Sequence, residues 1–410
     1  MMRIATTTLH QVGAQSVTKN LSNLYKLETQ FSSGKKLNSA ADDPVGAVRA
    51  SELSSSLRAN TQYARNQTSA LNTLQFTESV VGDIGDVITS MQELVVTAGN
   101  GALSAADKRG IAASMSAKLS ELINLANTRD QSGRYLFSGF NDMTAPFDQT
   151  ASGVTYYGDN GIKALQVSPS VTMPINISGE DLLLGVSTGS GVIETSAAAS
   201  NAGSGLIDGG RVVNATAYDG SAFQVTFSNG AGGLEYNVVN TTTGTTVLSG
   251  QPFTSASAIE IPLAPAGSAV VALAITGTPQ AGDTFTLGPS TTTNAFSTLQ
   301  DAIDALEGNA DGTVTDTKLA DVLRQVGANL MQSADQASMV RGQFGNSLAE
   351  LERQTDLNTR SDTDLKARKS AIVDLDYAQA ASELAQTQLA YQAAQNVYSK
   401  LGKQSLFDYL

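Results

Sequence analysis

Tyr377 to Leu401 reads YAQAASELAQTQLAYQAAQNVYSKL, and in it Tyr377, Leu384, Tyr391 and Tyr398 recur every seven residues, with Ala381 and Leu401 filling in the stripe. That period belongs to a helix with one face built to lie along another helix. More than 300 residues earlier, Val17, Leu21, Leu24, Leu27 and Phe31 fall three or four positions apart and line one face of a second helix. Isolated helices of this length are marginal in water, because most helical stability comes from packing an apolar face. Each end of the chain therefore needs a partner, and the two ends read as elements that order against each other and against neighbouring copies.

Between the ends the period changes twice. From Pro44 to about Ala98 the sequence reads as one long helix, with Leu53, Leu74, Val81, Ile88 and Val95 in one heptad column and Leu57, Ala64, Leu71, Ile84 and Met91 beside it. Asp42-Asp43-Pro44 marks its start and Gly99-Asn100-Gly101 its end. Asn60 and Gln67 share the column of Leu53, where polar side chains fix register at some cost in stability. Ser104 to Asp107 has the form of a capping box and opens a further helix, expected to end near Ser132-Gly133, with Met115, Leu119, Leu122 and Ala126 facing inward.

Residues 134 to about 180 then show a shorter period and Gly-rich punctuation, read as a short strand followed by hairpins. Residues 190–293 form a distinct Gly-, Thr- and Ser-rich block. Its alternating segments, such as Ala222 to Phe227, are joined by hairpin dipeptides at Asn229-Gly230 and Thr243-Gly244. Helical spacing returns at Phe296 and again from Asp316 to Thr359, and a final helix is expected from Ser361-Asp362.

The fold class expected is α+β: a long antiparallel helical rod made by the N- and C-terminal regions, carrying β-hairpins and an inserted, mostly antiparallel β-domain. Residues 1–43 and 361–410 are the terminal paired-helix assembly domain. Residues 44–189 and 294–360 are the helical rod, with the hairpins at 134–180, and residues 190–293 are the outer β-domain.

Composition excludes several functions. The net charge is -13, and residues 145–295 hold ten acidic side chains against Lys163 and Arg211 alone, which argues against nucleic acid or an anionic membrane as partner. No apolar run reaches membrane-spanning length, and the opening MMRIATTTLHQVG lacks the apolar centre of a cleaved secretory signal. There is no Cys, and His10 is the single histidine, so thiolate sites, two-histidine zinc sites and most nucleophilic relays are out of reach. Asn309, Asp311 and Asp316 around Gly312 faintly resemble a calcium loop but lack the acidic ligand at its twelfth position. No Gly-Lys-Ser/Thr phosphate loop is present. No cofactor and no metal are expected, and the chain does not read as an enzyme.

The run from Phe31 through Gly34-Lys35-Lys36-Leu37-Asn38 to Asp42-Asp43-Pro44-Val45-Gly46-Ala47 resembles the N-terminal signature of bacterial flagellins and their junction relatives. Gly133-Arg134-Tyr135-Leu136-Phe137-Ser138-Gly139 is more similar to the hook-filament junction members of that family. So is Asp374-Leu375-Asp376-Tyr377-Ala378, continuing to Ser405-Leu406-Phe407-Asp408-Tyr409-Leu410.

The resemblance implies a structural adaptor that joins hook to filament in a ring of about eleven identical subunits. It also implies a second junction protein on the hook side, flagellin on the filament side and a cytoplasmic export chaperone. It further implies an extracellular place in the flagellum reached by type III export without a cleaved signal peptide. With Leu406 and Phe407, the terminal stripe residues are then the candidate assembly interface. Two rivals stand beside this reading: a filament flagellin subunit, and a surface binding or enzymatic module carried in residues 190–293.

Overall fold

The structure is a computed structural model that describes residues 6–150, 153–265 and 267–403. Helix α1 spans Thr6–Ser33 and α2 spans Pro44–Ala98. The start of α2 is fixed by Asp43, whose Oδ1 accepts the Gly46 amide at 2.9 Å, and by Pro44, which has no first-turn N–H to leave unpaired. Helix α3, Ala105–Ala126, opens on the expected capping box: Ser104 Oγ accepts the Asp107 amide at 3.2 Å and Asp107 Oδ2 accepts the Ser104 amide at 3.1 Å. It stops well short of Ser132. Asn127 turns away to bond both polar groups of the Phe147 backbone, at 2.7 and 3.0 Å, and so ties the helix end to the first hairpin.

That hairpin pairs β1 (Phe147–Thr150) with β2 (Gly153–Tyr156), and a second pairs β3 (Ala164–Gln166) with β4 (Thr172–Pro174). The short strand expected near residue 135 is a single bridge between Arg129 and Tyr135, because Leu136 and Phe137 are both buried and the Leu136 amide bonds back to Thr128. A π-helical turn, Glu180–Leu184, leads to β5 (Val186–Ser187).

The inserted block comprises β6 (Ile193–Ala197), β7 (Leu206–Ile207), β8 (Arg211–Val212), β9 (Phe223–Gly230), β10 (Gly233–Asn240), β11 (Thr245–Pro252), β12 (Ala258–Pro262), β13 (Ala269–Thr276) and β14 (Thr284–Pro289). Strands β11, β10, β9, β14 and β6 form one sheet in that order, and β12, β13 and β7 form a second, with β8 also on β13. Every pairing is antiparallel. Alternation along β9 puts Phe223, Val225 and Phe227 inside, against Phe285 and Leu287 of the same sheet and Ile259, Ile261 and Leu273 of the other. The β9–β10 tip is Ala231-Gly232, one step beyond the Asn229-Gly230 pair, which stays in strand. The chain leaves the block through β15 (Thr292–Thr293), paired with β5.

Helix α4 spans Ala295–Ala310, α5 Asp316–Val373 and α6 Tyr377–Lys403. The final helix therefore begins later than Ser361-Asp362. Nothing interrupts α5 there, since Ser361 accepts a side-chain bond from Asn60 and Asp362 pairs with Lys366 one turn on.

By internal packing the chain divides into two units, Met1–Gln67 with Arg353–Leu410, and Thr68–Glu352. In the second unit, α2 buries Leu74, Val81, Ile84, Ile88, Met91 and Val95 in one core with α3, α4 and α5, which supply among others Leu119, Phe296, Ile303 and Leu330. The second α2 column runs through Ala70 and Thr77, whereas Ala64 and Leu71 are exposed. Positions three and four apart are equally good heptad partners on paper. Here the smaller Ala70 faces inward, and Thr77 satisfies its hydroxyl on Thr73 O at 2.8 Å. The residues that faintly resembled a calcium loop anchor α3: Lys108 Nζ bonds Asn309 Oδ1 at 2.6 Å and Asp316 Oδ1 at 3.2 Å, and Arg109 pairs with Asp311 at 2.7 Å. Among the described residues no helix is long and apolar enough to cross a membrane.

Candidate functional site

In the first unit α1 and α6 run antiparallel. His10 meets Tyr398 edge-on with 6.4 Å between ring centroids, Asn20 Nδ2 donates to Ala390 O at 3.4 Å, and Phe31 meets Tyr377 edge-on at 5.4 Å. Number rises along one helix as it falls along the other. Val17, Leu21, Leu24, Leu27 and Phe31 are half-buried along the α1 face that serves this pairing, and Leu384 and Tyr391 are half-buried on α6.

The inner stripe of α6 differs in one place from the sequence reading. Ala380 is buried and Ala381 is exposed, so the stripe runs Ala380, Leu384, Thr387, Tyr391 and Ala394 in alternating steps of four and three. Tyr377 and Tyr398 sit at the rim, about half exposed, each with one ring contact. Leu401 belongs to α6, with its side chain outside the description, and Leu406 and Phe407 lie outside the described residues.

A paired joint closes the end of the α1–α6 pair. The Lys36 amide donates to Val373 O at 2.8 Å and the Leu375 amide to Gly34 O at 3.0 Å, so the α1–α2 and α5–α6 connections bridge each other. Gly34 has φ +67°, and a Cβ there would lie 2.9 Å from the Tyr377 hydroxyl. Gln30, buried, donates to Lys36 O at 2.6 Å. Asp376 caps α6 by accepting the Ala378 and Gln379 amides at 2.9 and 3.2 Å. Asp42 gathers the Ser39 amide and hydroxyl and pairs with Lys26 at 3.2 Å. The Ser39 amide, then Lys26, hold its carboxyl below the ordinary aspartate value. Beside the joint lies a polar groove of about 590 Å³ lined by Lys26, Gln30, Lys36, Asp374 and Glu383 among others.

The polar residues read as register markers bond across to α5. Asn60 Nδ2 donates to Ser361 Oγ at 3.1 Å, Asn358 Nδ2 donates to Asn60 O at 3.0 Å, and Gln67 Nε2 donates to Gln354 O at 3.2 Å. Asn60 and Gln67 are both buried between α2 and α5.

One feature escaped the sequence reading. Leu389, 70% exposed, stands on the side of α6 opposite Ala380 and Tyr391, and Ala378, Ala385 and Ala393 share that side, all exposed. The same side also carries exposed Ser382, Asn396 and Lys400, so it is a mixed face with one large apolar side chain. The signal was present as a second column of small residues, masked by the stronger Leu/Tyr heptad.

Residues 4–142 match the family model described as the bacterial flagellin N-terminal helical region, and residues 318–410 match the bacterial flagellin C-terminal helical region. The flagellar hook-associated protein 3 of Salmonella typhimurium is 35% identical over 181 residues, which are 44% of this chain and 56% of that protein. The chain spans about half the length of the curated relatives it matches. The crystal structure of FlgL from Xanthomonas campestris superposes with a TM-score of 0.69 at 27% identity, covering 78% of this chain and 99% of that one. The crystal structure of flagellar hook associated protein-3 from Legionella pneumophila has the same fold, with a TM-score of 0.72 at 24% identity over 78% of this chain and 99% of that one.

Proposed function

As a member of the bacterial flagellin family, whose N- and C-terminal helical models together take up more than half of it, this chain is, we propose, a non-enzymatic structural subunit joining the flagellar hook to the filament. It works by packing. Copies stand in a closed ring, about eleven by the family resemblance, with a second junction protein on the hook side and flagellin on the filament side. The terminal helices make the ring contacts, and the chain reaches the cell exterior by the flagellar export route.

The observation that supports this reading is the antiparallel pairing of α1 and α6, with Leu389, 70% exposed, on the side of α6 away from α1. A large apolar side chain left in water on an assembly helix is the position at which a neighbouring copy would add most contact. An export chaperone would be expected to hold this terminal helix, because its Leu384–Tyr391 stripe is apolar and aggregation-prone whenever α1 does not cover it.

Leu389 is the discriminating position. Charge at Leu384 or Tyr391, which face α1, would separate the terminal pair itself. Leu389→Asp instead leaves the α1–α6 contacts intact. We expect the variant to keep the wild-type melting temperature and export level, while its amount in isolated flagella falls at least about tenfold, the equivalent of 1.4 kcal/mol. Incorporation at the wild-type level would remove α6 from the assembly contacts. Quantitative blotting of the same flagella separates the readings: a junction ring holds about a dozen copies per flagellum, a filament subunit thousands.

A further inference from the structure

The chain holds three Asn-Gly pairs, Asn100-Gly101, Asn160-Gly161 and Asn229-Gly230. Each is the substrate of one intramolecular reaction, in which the glycine nitrogen, unshielded by any side chain, attacks the side-chain amide carbon of the asparagine before it. Alike in sequence, the three differ in what the fold does to the attacking nitrogen and to the carbonyl it must reach.

At Asn160 the nitrogen is engaged. The Gly161 amide donates to Asp159 Oδ1 at 2.7 Å, so the electron pair left by its proton would face a carboxylate and not the Asn160 amide carbon. The Phe140 ring closes over the same glycine. At Asn229 the backbone is held extended, since Asn229 and Gly230 sit in the β9–β10 ladder opposite Leu234 and Gly233. Ring closure there would pull both residues out of the ladder. The Glu235 carboxylate also crowds Gly230, where it opposes negative charge on the nitrogen.

Asn100 is arranged the other way. It and Gly101 stand exposed in the turn between α2 and α3. Among the described residues the Gly101 amide has no hydrogen-bond partner, and nothing lies within 4 Å of where a Cβ on Gly101 would be. Asn100 Oδ1 accepts the Ala102 amide at 3.1 Å, which folds the side chain forward alongside Gly101. That oxygen is the one that gains negative charge when the nitrogen attacks, so the Ala102 amide already stands where an oxyanion donor is needed.

We propose that Asn100 is a self-modification site, converting in the folded chain to aspartate and isoaspartate. The Gly101 nitrogen gives its proton to solvent base and bonds to Cγ of Asn100. The Cγ–Nδ2 bond breaks, and ammonia leaves with a proton taken from water. Water then opens the cyclic imide at either carbonyl, with nothing oxidised or reduced. One opening restores the backbone as aspartate, and the other routes it through the side chain as isoaspartate. Either product puts a carboxylate just beyond the last carbonyls of α2, where the helix dipole disfavours it. Isoaspartate also lengthens the backbone inside the turn that the Leu103 amide closes on Asn100 O at 3.2 Å, directly ahead of the Ser104 cap. Ageing of the chain therefore loosens the α2–α3 connection.

The test incubates the full chain in warm, mildly alkaline buffer, both folded and in urea, and follows acid against amide at all three asparagines by peptide mass spectrometry. The rate in urea is each site's own reference. In the folded chain Asn100 should keep its rate, while Asn160 and Asn229 fall at least about tenfold below theirs. Gly101→Ala, whose methyl meets no neighbour, should slow Asn100 at least about tenfold with the melting temperature unchanged. Equal folded rates at the three sites, tenfold protection of Asn100 on folding, or faster conversion at Asn160 or Asn229 overturns the proposal. So does a Gly101→Ala chain that converts as fast as wild type.

Discussion

Phe31, near the end of α1, and Tyr377, the first residue of α6, meet edge to face with 83° between their ring planes, directly over the joint where the two interhelical connections bridge each other. The pair links residues distant in sequence at the point where the terminal helices leave the rest of their unit. Its geometry depends on Gly34. A side chain there would adopt a left-handed backbone and displace the Tyr377 hydroxyl. Gly34→Ala should therefore cost about 1 to 2 kcal/mol locally. The readout is hydrogen exchange at the Lys36 and Leu375 amides, expected to speed up about tenfold for each 1.4 kcal/mol lost. Unchanged protection would show that the joint is not held as described.

Asp376 is the cap of α6. Asp376→Ala removes the acceptor for the Ala378 and Gln379 amides and should cost about 1 kcal/mol of α6 stability. Exchange at those two amides should accelerate while α3 and α4 keep their protection. A uniform change across the chain would instead point to a global effect.

Asn60 and Gln67 are expected to fix the register of α2 against α5 at some cost in stability. Replacing both with Leu should leave the melting temperature equal to or above wild type, because buried polar pairs contribute little net stability over apolar packing. The α2–α5 alignment should lose uniqueness. Spin labels at exposed Arg58 and Thr363 would report it as a broadened or double distance distribution, where wild type gives one. A single sharp distance in the double variant would contradict the register role.

Asp159, Asp142 and Asp42 are among the carboxylates held below their ordinary range. The Phe140 and Gly161 amides lower Asp159, Lys163 leads the causes at Asp142, and the Ser39 amide leads at Asp42. For a group whose folded pKa is depressed, the stabilisation is complete above the unfolded value and is lost as pH falls through the folded one. The loops around Phe140 and Ser39 should thus be at full strength at neutral pH and loosen below about pH 4. Asp301 runs the other way, since partial desolvation, followed by the Asp304 charge, raises its pKa. Backbone amide shifts of Asn141 and Gly161 followed from pH 6 to 3 should move with an acid midpoint. Flat shifts across that range would refute the carboxylate staple.

How much of this was legible in the sequence follows from what kind of interaction set each feature. The bounds of α2 were readable because Asp43, Pro44 and Gly99 act within a turn of themselves. The boundary between α5 and α6 was not, since Ser361-Asp362 offers the same capping chemistry as Asp376. Only the cross-chain bonds of Lys36 and Leu375 decide where the helix breaks. The inner column of α2 was readable by stepping back seven at a time from Met91 and Ile84 to Thr77 and Ala70, whereas Ala380 and Ala381 are the same residue type and only packing against α1 separates them. The antiparallel β-block was recognisable from alternation along β9 and β10, whereas its sheet order required the pairing of β14 with both β9 and β6. The outer side of α6 around Leu389 was only faintly readable, as a column of small residues beside the stronger Leu/Tyr heptad, because exposure is a property of the folded chain.

The most direct test of the central claim is deletion of the gene in its own organism, with motility scored and the culture medium assayed for unassembled flagellin. The account predicts hook-bearing, non-motile cells that shed flagellin into the medium, because the adaptor between hook and filament is missing. Bare hooks with no secreted flagellin would make this chain the filament subunit instead, and wild-type motility would contradict a structural role in the flagellum altogether.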